Sequence, residues 1–172
     1  IRDSAHTMGI HIVERIDQRG KSDSKWFMGR GKLQDIVEDL RSSSEGHPWN
    51  GVDLLLLHTN ATPRQLVGVN DAGGVEVWDR VRLLLALFTA HASSVEARTQ
   101  VRIARLQSDR TVLREIVKLQ TTGERAGYGG AGQTAAGSIL TNVNRELTAL
   151  RKRQRKQVKS ATERRRQRKQ HA

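Results

Sequence analysis

Basic side chains are concentrated at the C-terminal end of this 172-residue chain. Residues 151–172 contain eleven Lys or Arg and one acidic residue, Glu163, so +10 of the formal net charge of +12 lies there. Clustered cations of this kind bind nucleic acid, because phosphates release condensed counterions when they meet them. The alternative is a polar helix end that contacts only solvent, although such a helix usually mixes both signs of charge. The candidate RNA-binding residues are Arg151, Lys152, Arg153, Arg155, Lys156, Arg164, Arg165, Arg166, Arg168 and Lys169.

A second group of candidate RNA-binding residues lies in a glycine-rich stretch, residues 121–138. Arg125 could grip a phosphate or a base edge, and Tyr128 could stack on a base. Gly129 and Gly130 would let the backbone approach RNA closely, because they carry no side chain. The stretch is not a dinucleotide-binding loop, since no strand precedes it. A flexible connector without a binding role is the alternative.

Residues with catalytic or metal-binding chemistry do not form a recognisable set. Gly29-Arg-Gly-Lys32 lacks the spacing of a phosphate-binding loop, which has four residues between Gly and Gly-Lys and then Ser or Thr; here Leu33 follows. The six histidines show no ligand spacing, and the chain has no cysteine. We therefore predict no catalytic residue, no metal site, no cofactor and no small-molecule substrate site in these residues.

Two long helices are predicted to position the basic and glycine-rich residues. Apolar residues recur at helical spacing on both sides of the glycines, as expected for the seam of an antiparallel coiled-coil pair. The predicted seam consists of Ile103, Leu106, Leu113 and Val117 in the first helix and Leu140, Val143, Leu147 and Leu150 in the second. Residues 94–172 are thus a predicted helical hairpin with a glycine-rich tip at 121–138 and a basic distal arm at 151–170.

The first part of the chain, residues 1–93, alternates strand and helix patterns. This alternation predicts a small, mostly parallel α/β sheet with flanking helices. Strands are expected at Met8–Ile16, Val52–His58 and Val75–Trp78. Helices are expected to start near Lys32, after Thr62 and after Asp79. Thr62-Pro-Arg-Gln65 has the form of a helix start, and Asp79 can cap the helix that follows it.

No stretch of the sequence predicts a membrane span. The strongest apolar run, Val52–Leu57, has the length of a strand, whereas a span needs about 18 apolar residues. No secretory signal is visible, so we expect a cytoplasmic protein, with the matrix of the mitochondrion or another organelle as the alternative. The chain begins with Ile1 rather than Met, and an N-terminal piece such as a transit peptide could precede it.

Five blocks of sequence, in a fixed order across residues 8–120, carry a family resemblance. They are Trp26-Phe-Met-Gly-Arg-Gly-Lys-Leu33, Leu54-Leu-Leu-Leu-His-Thr-Asn-Ala-Thr-Pro-Arg-Gln65, Val75-Glu-Val-Trp-Asp-Arg80, Leu83-Leu-Leu-Ala-Leu-Phe-Thr-Ala-His-Ala92 and Glu96-Ala-Arg-Thr-Gln-Val-Arg-Ile-Ala-Arg-Leu106. Together they resemble the N-terminal region of the HflX family of ribosome-associated GTPases. Five blocks in the same order are far more specific than any one of them alone.

The resemblance implies an α/β subdomain followed by an antiparallel helical pair. It also implies a GTPase domain after residue 172 that binds GTP and Mg²⁺, so GTP hydrolysis is expected only if that domain follows. In this family the N-terminal domain enters the large ribosomal subunit, and the loop between the helices reaches towards the peptidyl-transferase region. The implied partners are therefore the large ribosomal subunit and its rRNA. The implied role is ribosome splitting, rescue or large-subunit assembly.

Two departures from the family pattern fall near the tip. Gly132-Gln-Thr-Ala-Ala-Gly137 replaces an Arg-Gly-Pro-Gly-Glu-Thr-Gln segment, and Asn144-Arg145 replaces an Asp-Arg-Arg run. They indicate a divergent member whose tip makes a different or weaker contact. Two rival functions remain open: a non-catalytic ribosome assembly or interaction factor that keeps this fold, and a general basic RNA-binding protein whose arm also serves as a nuclear address.

Overall fold

The computed structural model describes residues 1–123 and 130–170, and it describes side chains for all of these except 130–134. The chain divides into two compact units, residues 1–90 and 91–172. The described elements are α1 (Arg2–Thr7), α2 (Arg30–Ser42), β1 (Leu54–Leu56), α3 (Pro63–Gly73), β2 (Glu76–Trp78), α4 (Arg80–His91), α5 (Val95–Thr121) and α6 (Gly130–Gln170). The protein is therefore rich in helix, with a two-stranded sheet in its first unit.

The sheet of the first unit is parallel, and α3 forms the crossover between its strands. Leu54 pairs with Glu76 and Leu56 with Trp78. One face of the sheet packs on the core, which is centred on three buried side chains from α2 and α3. These are Leu33, Val37 and Val69, surrounded by the partly buried Trp26, Phe27, Met28, Leu55, Ala72 and Val77.

Both helix starts that the sequence predicted after the strands are confirmed. Thr62 and Gln65 form a capping box at the start of α3: Gln65 N donates to Thr62 Oγ1 at 3.1 Å, and Thr62 N donates to Gln65 Oε1 at 3.0 Å. Asp79 is buried and accepts from Arg82 N at 2.9 Å and from Ala61 N at 3.1 Å. One carboxylate thus caps α4 and holds the loop that follows β1.

The strand predicted at Met8–Ile16 is wrong. A helix, α1, precedes this segment, and no strand is assigned from residue 8 to residue 16. Of the alternating residues, Ile10 and Ile12 are half-buried and Ile16 is 43% exposed, so none of them belongs to the buried core. Alternating apolar residues favour an extended chain, but a strand also needs a partner edge, which local sequence does not supply.

The second unit consists of α5 and α6 packed side by side. Ile103 and Leu106 of α5 form a buried cluster with Leu147 of α6, and Val143 and Leu150 pack against it. These five side chains belong to the predicted seam. On the surface beside them, Arg102 Nε donates to Glu146 Oε1 at 2.8 Å.

The short connection between α5 and α6 requires the two helices to run antiparallel. Arg102 lies about 28 Å from the end of α5, and Glu146 lies about 24 Å from the start of α6, at 1.5 Å per residue. If the helices were parallel, those ends would be about 50 Å apart. Residues 122–129 span at most about 31 Å when fully extended. They can therefore connect the two helices only if the helices are antiparallel.

The glycine-rich connection is shorter than the sequence predicted. α5 ends at Thr121, and Gly123 has a φ of +71°, a conformation that glycine adopts without strain. α6 begins at Gly130, although the tip was expected to extend to residue 138. Each glycine inside a helix costs about 1 kcal/mol. Packing offsets part of that cost, because Ala136 in the first turns of α6 is buried.

The inner face of α5 also differs from the prediction in detail. Leu113 and Val117, predicted seam residues, are only half-buried, and so is Leu140 of α6. Leu119, which was not predicted, is buried, as is its neighbour Gln120. Near its C-terminal end α5 is therefore covered on more than one side. A single apolar stripe does not describe that end of the helix.

Candidate nucleic-acid interface

The basic arm predicted at 151–170 forms the distal half of α6. Between Ser138 and Gln170 the sequence has neither glycine nor proline and is rich in Arg, Lys and Gln, all good helix formers. The helix therefore continues without a break to Gln170. All side chains from residue 158 to residue 170 are exposed, and before them Gln154 and Gln157 are half-buried.

The arm extends beyond the first residue of α5. Because Arg102 is level with Glu146 and the helices are antiparallel, Val95 is level with about residue 153. The remaining residues of α6 run about 25 Å further at 1.5 Å per residue. The apolar side of α6 ends at Leu150, and the same side continues with Gln154, Ala161 and Arg165. The distal arm thus has no seam with which to continue the hairpin.

The charges of the arm differ from those of the paired part of the hairpin. In the paired part, Arg102 and Glu146 form a two-point ion pair, and this hydrogen bond raises the pKa of Arg102 above its usual range. In residues 151–170 as described, no cation makes an ion pair, and Glu163 is the one acidic residue. The cationic groups of the arm are therefore accessible to a partner.

Three of the predicted tip residues, Arg125, Tyr128 and Gly129, lie outside the described residues, so their RNA-binding roles stay predictions. Gly130 is the first residue of α6. The ten predicted arm residues share one helix, and all except Arg151 are exposed. The structure thus places the arm residues on one helix. Whether they act on RNA together with the tip residues is not tested.

The turn before α2 is a second basic surface that the sequence did not single out. Lys25 Nζ lies 5.2 Å and Arg30 Cζ 5.4 Å from the centre of the Trp26 ring. Asp23 Oδ1 accepts from the backbone N–H groups of Trp26 and Lys25, both at 2.7 Å, and these bonds hold the pKa of that carboxyl below its usual value. The sequence signal that could have predicted this surface is Trp26, which lies between Lys25 and Arg30 in the chain.

The segment from Gly29 to Lys32 does not form a phosphate cradle. Gly29 precedes the first residue of α2, so it ends the turn and begins the helix, as the sequence indicated. Lys32 Nζ donates to the carbonyl oxygen of Asp17 at 2.7 Å, which directs its charge to the protein's own backbone. Leu33 occupies the place of the Ser or Thr that would bind magnesium, and it is buried in the core.

Neither a metal cluster nor a membrane-spanning helix is found in the described part of the chain. Residues 1–123 and 130–170 contain no group of three His, Cys, Asp or Glu side chains that could hold a metal ion. In the same residues, no helix is both long enough and apolar enough to cross a membrane.

The first unit has a recognisable family. A sequence model described as GTP-binding GTPase N-terminal matches residues 1–89, which is more than half of the chain. This chain belongs to the HflX family of GTPases. The resemblance inferred from the five sequence blocks is thereby confirmed, and the match lies within the N-terminal region of the family.

Relatives named GTPase HflX extend the match into the second unit. The protein from Methanocaldococcus jannaschii is 32% identical over 140 residues, covering 81% of this chain and 33% of its own length. The protein from Hyperthermus butylicus is 31% identical over 156 residues, covering 87% of this chain and 40% of its own. The chain therefore spans about a third to two-fifths of the HflX proteins it matches.

A solved structure shares the fold. The crystal structure of a GTP-binding protein from Sulfolobus solfataricus in complex with GDP superimposes with a TM-score of 0.54 at 19% identity. The match covers 86% of this chain and 40% of that protein. At this identity the likeness concerns the fold alone.

Proposed function

We propose that this chain is the ribosome-binding N-terminal region of an HflX-family GTPase that acts in ribosome splitting, rescue or large-subunit assembly. Membership of the HflX family supports a ribosome-associated role. The observation that carries the RNA-binding part is the exposed, unpaired cationic arm of α6. Its partner is the rRNA of the large subunit, because a dense array of phosphates is the complement of such an arm.

The hairpin works as a rigid spacer in this proposal. We take α5 and α6 as an antiparallel coiled coil, supported by the buried cluster of Ile103, Leu106 and Leu147. At 1.5 Å per residue, the 27 residues of α5 span about 40 Å. The tip is therefore held about that far from the start of the hairpin. Its candidate contacts are Arg125, Tyr128, Gly129 and Gly130, acting on rRNA near the peptidyl-transferase region.

GTP and Mg²⁺ belong to a different part of the protein in this proposal. The segment from Gly29 to Lys32 does not fit a nucleotide phosphate, because Lys32 is bonded to the Asp17 carbonyl and no Ser or Thr follows it. GTP hydrolysis would come from a GTPase domain after residue 172. If the full-length protein has no such domain, the rival proposal is a non-catalytic assembly factor with the same docking surface.

Ribosome pelleting at rising salt tests the docking proposal. Large subunits are sedimented with the chain, and the retained protein is measured against salt concentration. Specific docking predicts saturable binding that persists at about 0.15 M salt. A general polycation binder would bind without saturation and would dissociate at the same salt concentration as it does from bulk RNA.

A charge-matched pair of variants locates the RNA-binding surface. Arg164, Arg165 and Arg166 are changed to Gln in one protein, and the exposed Lys21, Arg41 and Arg80 of the first unit are changed to Gln in the other. Each variant has three fewer positive charges. We expect the arm variant to flatten the log–log salt slope by roughly 0.7–0.9 for each phosphate that it no longer neutralises, and the control to bind normally. An unchanged slope in the arm variant would place the RNA-binding surface outside the arm.

The role of the tip is tested by where the protein binds on the large subunit, not by how tightly it binds RNA. We expect Arg125→Ala with Tyr128→Ala to leave bulk RNA affinity nearly unchanged, because the arm is intact. Chemical footprinting of the large subunit should lose protections near the peptidyl-transferase region. Protections that persist in the double variant would show that the stretch is only a connector.

A further inference from the structure

The cations of the arm surround the α6 helix instead of forming one stripe. At 100° per residue, Arg155, Arg166 and Lys159 point to one side of the axis, and Arg153 and Arg164 to the opposite side. No sector wider than about 60° lacks a cation between residues 152 and 169. The exposed residues of the arm are 152–156, except for the half-buried Gln154, and 158–170. The sides of the helix to which the cations point are therefore open to a partner.

The arm also has no platform for unpaired bases. No Phe, Tyr or Trp follows Tyr128 in the sequence. Proteins that hold single-stranded RNA stack successive bases on aromatic side chains, and this stacking contributes about 1–3 kcal/mol per base. The exposed part of the arm carries one large apolar side chain, Val158. Phosphate contacts are therefore the chief interaction that the arm offers.

We propose that the arm recognises double-stranded RNA by lying as a helix between its two phosphate strands, at an internal loop or bulge that opens the groove. This inference rests on the proposed RNA-binding function and specifies the kind of RNA. A flat phosphate surface would satisfy one side of the arm and leave the opposite cations unused. A groove has phosphates on both sides, so it can neutralise cations around most of the circumference.

The helix of the arm is itself destabilised by its charge. Like charges stand four residues apart at 151/155, 152/156, 155/159, 164/168 and 165/169, and each such pair destabilises a helix. Lys159 and Glu163 are the one opposite pair at that spacing. A groove that neutralises the cations removes this repulsion. Binding of double-stranded RNA is therefore expected to increase the helix content of the chain, as it does for basic segments that order on RNA.

The test uses the full chain and two RNAs with equal numbers of phosphates. One is a duplex of about 20 base pairs with a central internal loop, and the other is an unstructured single strand of twice that length. Fluorescence anisotropy gives the affinities, and circular dichroism at 222 nm gives the helix content. We expect at least about tenfold tighter binding of the duplex, together with a gain in helix signal that the single strand does not produce.

Two variants with equal charge test contact on both sides. The first changes Lys152, Arg155, Lys159 and Arg166 to Gln, and the second changes Arg153, Arg164, Arg165 and Arg168 to Gln. These sets occupy opposite halves of the helix. Contact on both sides predicts that each set weakens duplex binding to a similar extent. Weakening by only one of the two sets would overturn the proposal in favour of a flat surface.

The result is distinguishable from failure of the proposed function. Equal affinity for duplex and single strand, with ribosome pelleting intact, would overturn the duplex inference alone. Failure of the chain to pellet with ribosomes, with the duplex preference retained, would overturn the ribosomal role alone. Folding of each variant is checked by thermal melting of the helical hairpin at 222 nm, because all the changed residues lie in the second unit.

Discussion

Gly68 shows, at the scale of single residues, how one missing side chain positions the turn before α2. It is buried in α3, and a Cβ at this position would collide with the carbonyl oxygen of Lys25. That carbonyl belongs to the turn that presents Trp26 and Arg30. Glycine is therefore required here by close approach of two backbones rather than by an unusual φ.

We predict that Gly68→Ala destabilises the protein by roughly 1–3 kcal/mol, because either the turn or α3 must shift. Gly31→Ala is the matched control, since a Cβ there meets no atom within 4 Å in the helix α2. That change is expected to stabilise by about 0.5–1 kcal/mol. Urea denaturation followed by Trp fluorescence measures both. Similar behaviour of the two variants would contradict the packing explanation.

The charge of Asp23 makes the stability of the first unit depend on pH in the acidic range. The N–H groups of Trp26 and Lys25 lower its pKa in the folded protein, so the contribution of its charge to stability is complete above the unfolded value of about 3.9. That contribution is lost as the pH falls through the lower, folded pKa. We predict that Asp23→Asn reduces the loss of stability as the pH falls below about 4. An NMR titration in which the Asp23 carboxyl has an ordinary or raised midpoint would refute the assignment.

The hairpin illustrates the scale of the element, where a few buried side chains stabilise two long helices. Leu147 is 1% exposed and contacts the buried Ile103 and Leu106. The Arg102–Glu146 pair beside them is exposed, and such pairs contribute at most about 1 kcal/mol. Apolar packing, not this ion pair, is therefore the main interaction between α5 and α6.

We predict that Leu147→Ala destabilises the second unit by about 2–5 kcal/mol, through reduced apolar burial and a residual cavity. Ile139→Ala in the same helix is the control, because Ile139 is 51% exposed, and its expected cost is below about 1 kcal/mol. Thermal unfolding followed at 222 nm compares them. An Ile139 effect as large as that of Leu147 would show that the main apolar packing between α5 and α6 lies elsewhere.

At the scale of the whole molecule, the chain separates a nearly neutral first unit from a strongly cationic end. Residues 151–172 carry +10 of the formal net charge of +12. The first unit contains the family match, residues 1–89, and the cationic residues lie far from it in sequence. The family model thus matches the nearly neutral unit, whereas the proposed RNA-binding residues lie in the cationic one.

We predict that the 172-residue chain does not bind GTP at micromolar concentration. Lys32 is bonded to the Asp17 carbonyl, and the Ser or Thr needed for magnesium is missing. Titration with a fluorescent guanine nucleotide measures binding, and the arm variant with three Gln substitutions controls for nonspecific attraction of the triphosphate. Micromolar binding that disappears in Lys32→Ala would refute the prediction.

Local sequence determined the starts of α3 and α4, part of the seam between α5 and α6, and the basic arm. The capping box at Thr62, the Asp79 cap and the seam positions Ile103, Leu106 and Leu147 depend on contacts within a turn or on helical period, which neighbouring residues specify. The charge of the arm is likewise a property of the sequence alone. The five blocks in order were sufficient to identify the HflX family.

Tertiary structure alone decided where the chain becomes a strand and where the tip begins. The segment at Met8–Ile16 has strand periodicity but no ladder, because pairing depends on an edge far away in sequence. α6 starts at Gly130, inside the glycine-rich stretch, although glycine has a low helix propensity. The clash at Gly68 and the exposure of the arm on all sides are likewise spatial facts. Periodicity identifies which residues share a face of an element, whereas only the folded chain determines what covers that face.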